Sequence, residues 1–164
     1  MAEKVYNRLE IRLAEKKDIK RIGELLEQVN RIHHDIRPDL FRLGRKYSER
    51  ELEKIIEDKS TPVFVVTDRE DGMLIGYCMT RLLEIKDDQI RTDLRTIYID
   101  DLCVDTAFRG RHAGLALYEA VKDFARRNGC QDVTLHVWEG NDGARAFYET
   151  MGMKPMYTCM EEKL

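Results

Sequence analysis

The chain begins with alternating apolar and polar positions. Leu9, Ile11 and Leu13 are apolar and are separated by single charged residues. This period of two predicts a half-buried strand. From about Lys17 the period changes, because apolar residues recur at helical spacing as far as Val29. A helix is therefore expected to follow the strand.

Local signals predict where this helix ends and where a second one begins. Residues 33–37 are expected to fray, and Pro38 then breaks the helix because its ring excludes helical geometry for the residue before it. Ser48 and Glu51 have the spacing of a capping box. They predict a second, shorter helix that runs to about Asp58.

Two apolar, β-branched stretches come next, over residues 62–67 and 73–83. They are joined through Asp71-Gly72, a turn dipeptide that predicts a hairpin when it lies between two strand-like runs. Residues 84–93 are polar and are expected to form a loop, and residues 95–104 are again strand-like.

The remaining chain alternates helical and strand-like segments, with Gly129 and Gly152 as helix-ending residues. The predicted elements are a helix over 110–128, a strand over 131–138, a helix over 141–151 and a last strand within 154–164. The whole order is strand, two helices, three strands, helix, strand, helix, strand. It predicts a mixed α/β fold around one sheet, and the lack of any repeat or linker favours a single domain over residues 1–164.

Composition narrows the class of protein. Apolar residues make up 43% and charged residues 36% of the 164 residues, as expected for a globular protein with a charged surface. No apolar run reaches about 18 residues and residues 1–4 lack a secretory layout, so neither a membrane span nor export is expected. The net charge of −3 gives no reason to expect nucleic acid as a partner. The four cysteines have no paired spacing, which favours reduced thiols in a cytoplasmic protein and no metal site.

A short basic loop opens the helix after the third strand of the central run. Its residues are Arg109, Gly110, Arg111, His112, Ala113 and Gly114. Backbone N–H groups in the first turn of a helix have no internal partner, and the helix dipole adds positive charge there. A pyrophosphate suits such a loop. The alternative is structural, with Gly110 as a turn residue and Gly114 as a close helix–strand contact.

This loop resembles the pyrophosphate loop of the GNAT family of N-acetyltransferases, written Gln/Arg-x-x-Gly-x-Gly/Ala. Arg109 and Gly114 match its first and last positions, but His112 stands where the family has glycine. A positive φ at His112 would be strained, whereas a helical φ would accept the imidazole.

A second segment resembles the same family, in the order and at the separation that the family shows. After the strand that ends near Val137, Asn141 is suited to cap a helix, and Ala144 and Tyr148 lie one turn apart on its face. Taken alone, Tyr148 also fits an ordinary aromatic residue of the hydrophobic core. Together the two segments imply the acyl-CoA N-acyltransferase fold and direct transfer of an acetyl group from acetyl-CoA to an amine.

The resemblance also implies roles for individual residues. The backbone of Leu102, Cys103 and Val104 is expected to pair with the pantetheine arm, and an N–H there to polarise the thioester carbonyl. The loop Arg109–Gly114 would hold the pyrophosphate and Asn141 would contact the arm. Tyr148 would donate a proton or a hydrogen bond to the departing thiolate. Cys103 has no histidine beside it in sequence and is not expected to be a nucleophile.

Asp100 and Asp101 are the candidates for the base that deprotonates the amine. Strand alternation places Ile97, Ile99 and Asp101 on one face, which favours Asp100 for the open face, although a bulge would shift that parity. Similar polyamine acetyltransferases carry an acidic pair at this place. The alternative is that both carboxylates merely tether the region 91–95.

The acceptor is expected to be a small cationic amine, resembling a polyamine or an aminoglycoside. Acidic residues in the segment 32–41 and in the later loop are candidates for attracting it; those in the loop are Glu84, Asp87 and Asp88. Rival interpretations are a peptide or protein N-terminal acetyltransferase and a non-catalytic CoA-binding regulatory module. The resemblance to the family is the only reason to expect a homodimer.

Overall fold

The strands of the computed structural model, which describes residues 8–164, form one five-stranded sheet. They are β1 (Leu9–Leu13), β2 (Val63–Asp68), β3 (Leu74–Ile85), β4 (Leu94–Val104) and β5 (Asp132–Leu135). Their spatial order is β1-β2-β3-β4-β5, and neighbours are antiparallel except for the parallel pair β4 and β5.

Helices cover both faces of the sheet. They are α1 (Ile19–Ile36), α2 (Glu49–Glu57), α3 (Ala113–Arg127) and α4 (Asp142–Thr150). The apolar stripes of α1 and α2 pack with Val65 and Tyr77 on one face. Helices α3 and α4 pack on the other face, against Ile97 and Ile99. Burial of each such aliphatic side chain stabilises the fold by about 1.5–3 kcal/mol.

Several local signals have the predicted consequence. Helix α1 ends directly before Pro38, with Arg37 as its C-cap, although it stays helical to Ile36 and the fraying expected over residues 33–37 is wrong. Ser48 and Glu51 form the capping box, with the Ser48 N–H donating to the Glu51 carboxylate at 2.8 Å. Gly72 takes a φ of 71° in the connection between β2 and β3, where the left-handed region favours glycine.

The predicted last strand is wrong. Residues 153–164 form no helix or strand, and side chains such as Met156 and Met160 are 75% and 86% exposed. Side chains hold this segment instead: Glu161 pairs with Arg37, and the Tyr157 hydroxyl lies 2.5 Å from His136 Nε2. The neighbouring strand β5 has four residues, not the eight predicted, so it offers only a short edge for pairing.

Helix α3 begins three residues later than predicted. Gly110 and His112 have φ values of 77° and 60°, so the backbone is left-handed at both and cannot yet be helical. The loop between β4 and α3 is therefore longer than the sequence predicts. No helix in residues 8–164 is long and apolar enough to cross a membrane.

Candidate active site

A bulge in β4 and the early end of β5 open the sheet between these two strands. Met79 pairs with Asp101 and Thr80 pairs with Ile99, which leaves Asp100 as an extra residue in β4. Strand β5 pairs only with residues 96–99 of β4. In the described sheet, the edge of β4 over residues 100–104 therefore has no strand partner on the β5 side. An extended chain can add to such an edge through backbone hydrogen bonds.

The loop after β4 presents unpaired backbone donors. The first helical bond of α3 runs from Ala116 N–H to the His112 carbonyl oxygen, at 3.0 Å. Within residues 8–164 the N–H groups of the following residues have no acceptor: Arg109, Gly110, Arg111, Ala113, Gly114 and Leu115. Such a group of N–H donors at a helix N-terminus forms an anion-binding site.

The two arginines of this loop differ in their contacts. The Arg111 guanidinium lies over the Phe108 ring, 4.9 Å from its centroid, and 4.0 Å from the Asp68 carboxylate. Arg109 makes no ion pair or hydrogen bond with any side chain of residues 8–164. Arg109 is therefore the cation of the loop that is available to an anionic ligand.

The start of α3 packs against α4 at the end of β4. A Cβ on Gly114 would lie 3.4 Å from the Phe147 ring and 3.8 Å from Val104. Gly114 therefore makes the close helix–strand contact that the sequence analysis gave as its alternative, structural role. Asn141 caps α4 by accepting a hydrogen bond from Ala144 N–H at 3.2 Å. Its side-chain amide N–H groups stay available to a ligand.

Tyr148 lies on α4 with its ring against Phe147 and Tyr118, at centroid distances of 5.0 Å and 6.2 Å. Burial raises its pKa well above the ordinary value, and the nearby Cys78 and Asp101 raise it further. Its hydroxyl has no hydrogen-bond partner in the described part of the chain. Tyr148 is therefore a protonated phenol with a free donor close to Asp101.

Asp101 is buried, with 8% of its surface exposed. Burial raises its pKa from 3.8 to about 6, the charge of Lys46 opposes the shift, and the charge of Asp100 adds to it. The buried Tyr77 hydroxyl also interacts with this carboxyl, although it forms no hydrogen bond of normal geometry within residues 8–164. A carboxyl with this pKa is ionised at neutral pH and accepts a proton more readily than an ordinary aspartate.

Asp100 is held in ion pairs. Its carboxylate lies 2.9 Å from Lys46 Nζ and 2.9 Å from the Arg81 guanidinium, and accepts a weaker hydrogen bond from Tyr47 at 3.3 Å. Burial acts to raise the pKa of Asp100, but these contacts outweigh it and hold the pKa below its ordinary value. Lys46 and Arg81, not the region 91–95, are thus its partners.

The prediction that side chains alternate regularly between the two faces along β4 is wrong. The bulge at Asp100 turns Asp101 and Cys103 to the face of α1 and α2, whereas Ile97 and Ile99 face α3. The preference for Asp100 as the open-face residue depended on that alternation. Burial and pKa favour Asp101 as the proton acceptor.

Cys103 and Cys78 are buried thiols on neighbouring strands. Burial raises the pKa of Cys103 to about 12 and shifts that of Cys78 in the same direction. Both stay protonated at neutral pH, and a thiol, unlike a thiolate, is a poor nucleophile. The described residues also contain no group of three or more His, Cys, Asp or Glu side chains placed to hold a metal ion.

The sequence did not point to Lys46, Tyr47 or Arg81 as parts of this site. They come from the segment before α2 and from β3, and only tertiary structure brings them to Asp100. His33 is half-buried, and burial followed by the charge of Lys46 lowers its pKa.

Comparison with known proteins finds one matching family and several solved structures with the same fold. Residues 26–153 match the model of the acetyltransferase (GNAT) family. A tetramutant of the BH1408 protein from Bacillus halodurans has 26% identity and a TM-score of 0.91, with 94% of this chain and 99% of that chain covered. No curated protein matches the chain.

Two further solved structures share the fold at lower identity. An aminoglycoside acetyltransferase from an uncultured soil metagenomic sample has 20% identity and a TM-score of 0.73, covering 98% of this chain and 99% of that chain. The ribosomal-protein-alanine N-acetyltransferase of Brucella melitensis biovar Abortus 2308 has 19% identity and a TM-score of 0.70, covering 96% and 99%.

Proposed function

The chain belongs to the GNAT family of acetyltransferases, and from this premise we propose that it transfers the acetyl group of acetyl-CoA directly to a primary amine. The proposal rests on one observation, which is that four features lie at the same opening of the sheet. They are the free edge of β4, the N–H-lined loop before α3, the buried carboxyl of Asp101 and the protonated Tyr148.

Acetyl-CoA fits the residues at this opening. The free N–H groups of Arg109, Gly110, Arg111, Ala113, Gly114 and Leu115, together with the Arg109 guanidinium, suit the charge of a pyrophosphate. The unpaired edge over Leu102, Cys103 and Val104 suits the amide groups of the pantetheine arm. The side-chain amide of Asn141 is a further donor toward that arm. When bound, acetyl-CoA supplies the thioester-activated acetyl group.

The protein's own groups then handle the protons. Asp101 takes a proton from the acceptor ammonium, which at neutral pH otherwise costs about 4–5 kcal/mol to deprotonate. A backbone N–H of the β4 edge stabilises negative charge on the acetyl oxygen. Tyr148 donates its proton to the leaving thiolate. The thiols of Cys103 and Cys78 are protonated and buried, which supports direct transfer without an acetyl-cysteine.

The proposed acceptor is a small cationic amine. Asp101 places a carboxylate at the acceptor end, and Asp35 and Glu84 have no ion-pair partner within residues 8–164. Three other carboxylates support the proposal less, because Asp100 pairs with Lys46 and Arg81, Asp39 pairs with Arg37 and Lys163, and Asp88 pairs with Arg91.

A mass-spectrometric screen tests this function. Purified protein is incubated with acetyl-CoA and a mixed panel of polyamines, aminoglycosides, amino acids and short peptides. We expect an acetylated polyamine or aminoglycoside. Products only on peptides would identify a peptide N-terminal acetyltransferase. Binding of acetyl-CoA with no product on any amine would favour the regulatory CoA-binding module.

A further inference from the structure

Lys46 places an alkylammonium at the acceptor end of the site. Its Nζ lies 2.9 Å from the Asp100 carboxylate. The charge of Lys46 is also the strongest influence, after burial, on the pKa of Asp101. Asp101 in turn interacts with the Tyr148 hydroxyl. The Lys46 amine therefore lies at the carboxylate next in sequence to the proposed base, within the electrostatic reach of that base.

The backbone on both sides of Lys46 is fixed. Asn30 on α1 donates its side-chain amide to the carbonyl oxygens of Arg42 and Gly44, at 2.7 Å and 3.0 Å. Two residues after Lys46, Ser48 begins α2 with its capping box. The short segment that carries Lys46 is thus held by hydrogen bonds on each side.

The ion pair with Asp100 holds the Lys46 amine at the acceptor end. The Lys46 side chain is 40% exposed, which is more than the 27% of Lys122 and less than the 61% of Lys16. A primary amine on a four-carbon stem is also the kind of acceptor that the proposed function requires. Proximity of this kind replaces a bimolecular encounter by an intramolecular one.

We propose that Lys46 is a self-acetylation site, at which the protein modifies its own amine when acetyl-CoA is bound and no external amine is present. This inference rests on the proposed function, because it uses the same base and acid. Lys46 would thereby act as an internal substrate, and an external amine would have to bind at the same place to be acetylated.

The atoms and protons of this step balance. The Lys46 ammonium gives one proton to Asp101, and its nitrogen then bonds to the acetyl carbon as the carbon–sulfur bond breaks. The thiolate takes the Tyr148 proton, and the second proton lost by the nitrogen restores Tyr148. The products are an amide at Lys46 and the free thiol of coenzyme A. The new amide has no charge, so Asp100 keeps Arg81 as its charged partner.

Peptide mass spectrometry after incubation with acetyl-CoA alone tests the proposal. We expect one acetyl group per chain on Lys46, at a rate per molecule that does not change with protein concentration. Lys46→Arg, which keeps the positive charge beside Asp100, should remove this acetyl group, whereas Lys59→Arg at an exposed position should not. Asp101→Asn should slow acetylation of Lys46 at least tenfold without changing the background on Lys59.

Three results would overturn the inference. If external amines are acetylated and Lys46 stays unmodified, the inference is wrong and the proposed function stands. If Lys46 is acetylated no faster than Lys59, or equally fast in Asp101→Asn, the modification is nonenzymatic and the inference again fails. If neither Lys46 nor any external amine is acetylated although acetyl-CoA binds, the proposed function fails together with it.

Discussion

Replacing Asp101 by Asn should make the fold more stable while it removes activity. Asp101 is buried and its pKa is raised from 3.8 to about 6. The folded state therefore binds a proton at this carboxyl more tightly than the unfolded chain does, and ionisation at neutral pH destabilises the fold. An asparagine of nearly the same shape does not ionise.

The size of this gain in stability follows from the pKa shift of Asp101. The difference between 3.8 and about 6 is about 2 pKa units, and at about 1.4 kcal/mol per unit it corresponds to about 3 kcal/mol. The wild-type protein carries none of this penalty below pH 3.8, acquires it as the pH rises to about 6, and carries all of it above that. The stability advantage of Asp101→Asn should therefore be near zero in acid and reach up to about 3 kcal/mol at neutral pH.

Urea denaturation of both proteins across this pH range measures the difference. Asp100→Asn is the matched control with the opposite sign. Because Lys46 and Arg81 hold the pKa of Asp100 below its ordinary value, this variant should be less stable than wild type at neutral pH, and the loss should shrink on acidification. An Asp101→Asn difference that is constant with pH, or that becomes more destabilising as the pH rises, would refute the reasoning.

Four further predictions follow from contacts in the site and beside it. Tyr148→Phe should lower kcat about 100-fold with little change in the KM for acetyl-CoA, because only the proton donor is lost; steady-state kinetics measures both. Arg109→Glu should raise that KM at least about tenfold, more at low salt than at high salt, through loss of a charged phosphate contact. His112→Gly should raise the free energy of unfolding by about 0.5–1 kcal/mol in urea titrations, since a left-handed φ of 60° is strained for histidine. Gly76→Ala should lower it by about 1–3 kcal/mol, because the new Cβ would lie 2.8 Å from the Cys103 carbonyl oxygen; Gly143→Ala, with nothing within 4 Å, is its control.

Local signals predicted most of the fold. The period of two over Leu9–Leu13, the capping box at Ser48 and the turn at Asp71-Gly72 act over a few residues, so the pattern of side chains suffices to identify them. The family motifs likewise placed the loop at Arg109–Gly114 and the helix that Asn141 caps. Each of these features is determined by neighbours in sequence.

Features that depend on distant partners were not predictable in this way. The bulge at Asp100 arises from the register of β4 against β3, and it reverses the faces that alternation assigns to Asp101 and Leu102. The ion pair between Lys46 and Asp100 joins residues 54 positions apart. The last segment has apolar residues without a strand to pair with, so composition alone suggested a strand that the short β5 does not support.

The release of coenzyme A and the acetylation of an added amine, measured together in one reaction, test the central claim most directly. Direct transfer predicts that both products accumulate in equal amounts, apart from the one equivalent of coenzyme A per chain that acetylation of Lys46 releases, with no acetyl group on Cys103 or Cys78 at any time. Release of coenzyme A beyond that equivalent without an acetylated amine, or an acetyl-cysteine that forms before the product, would contradict the account.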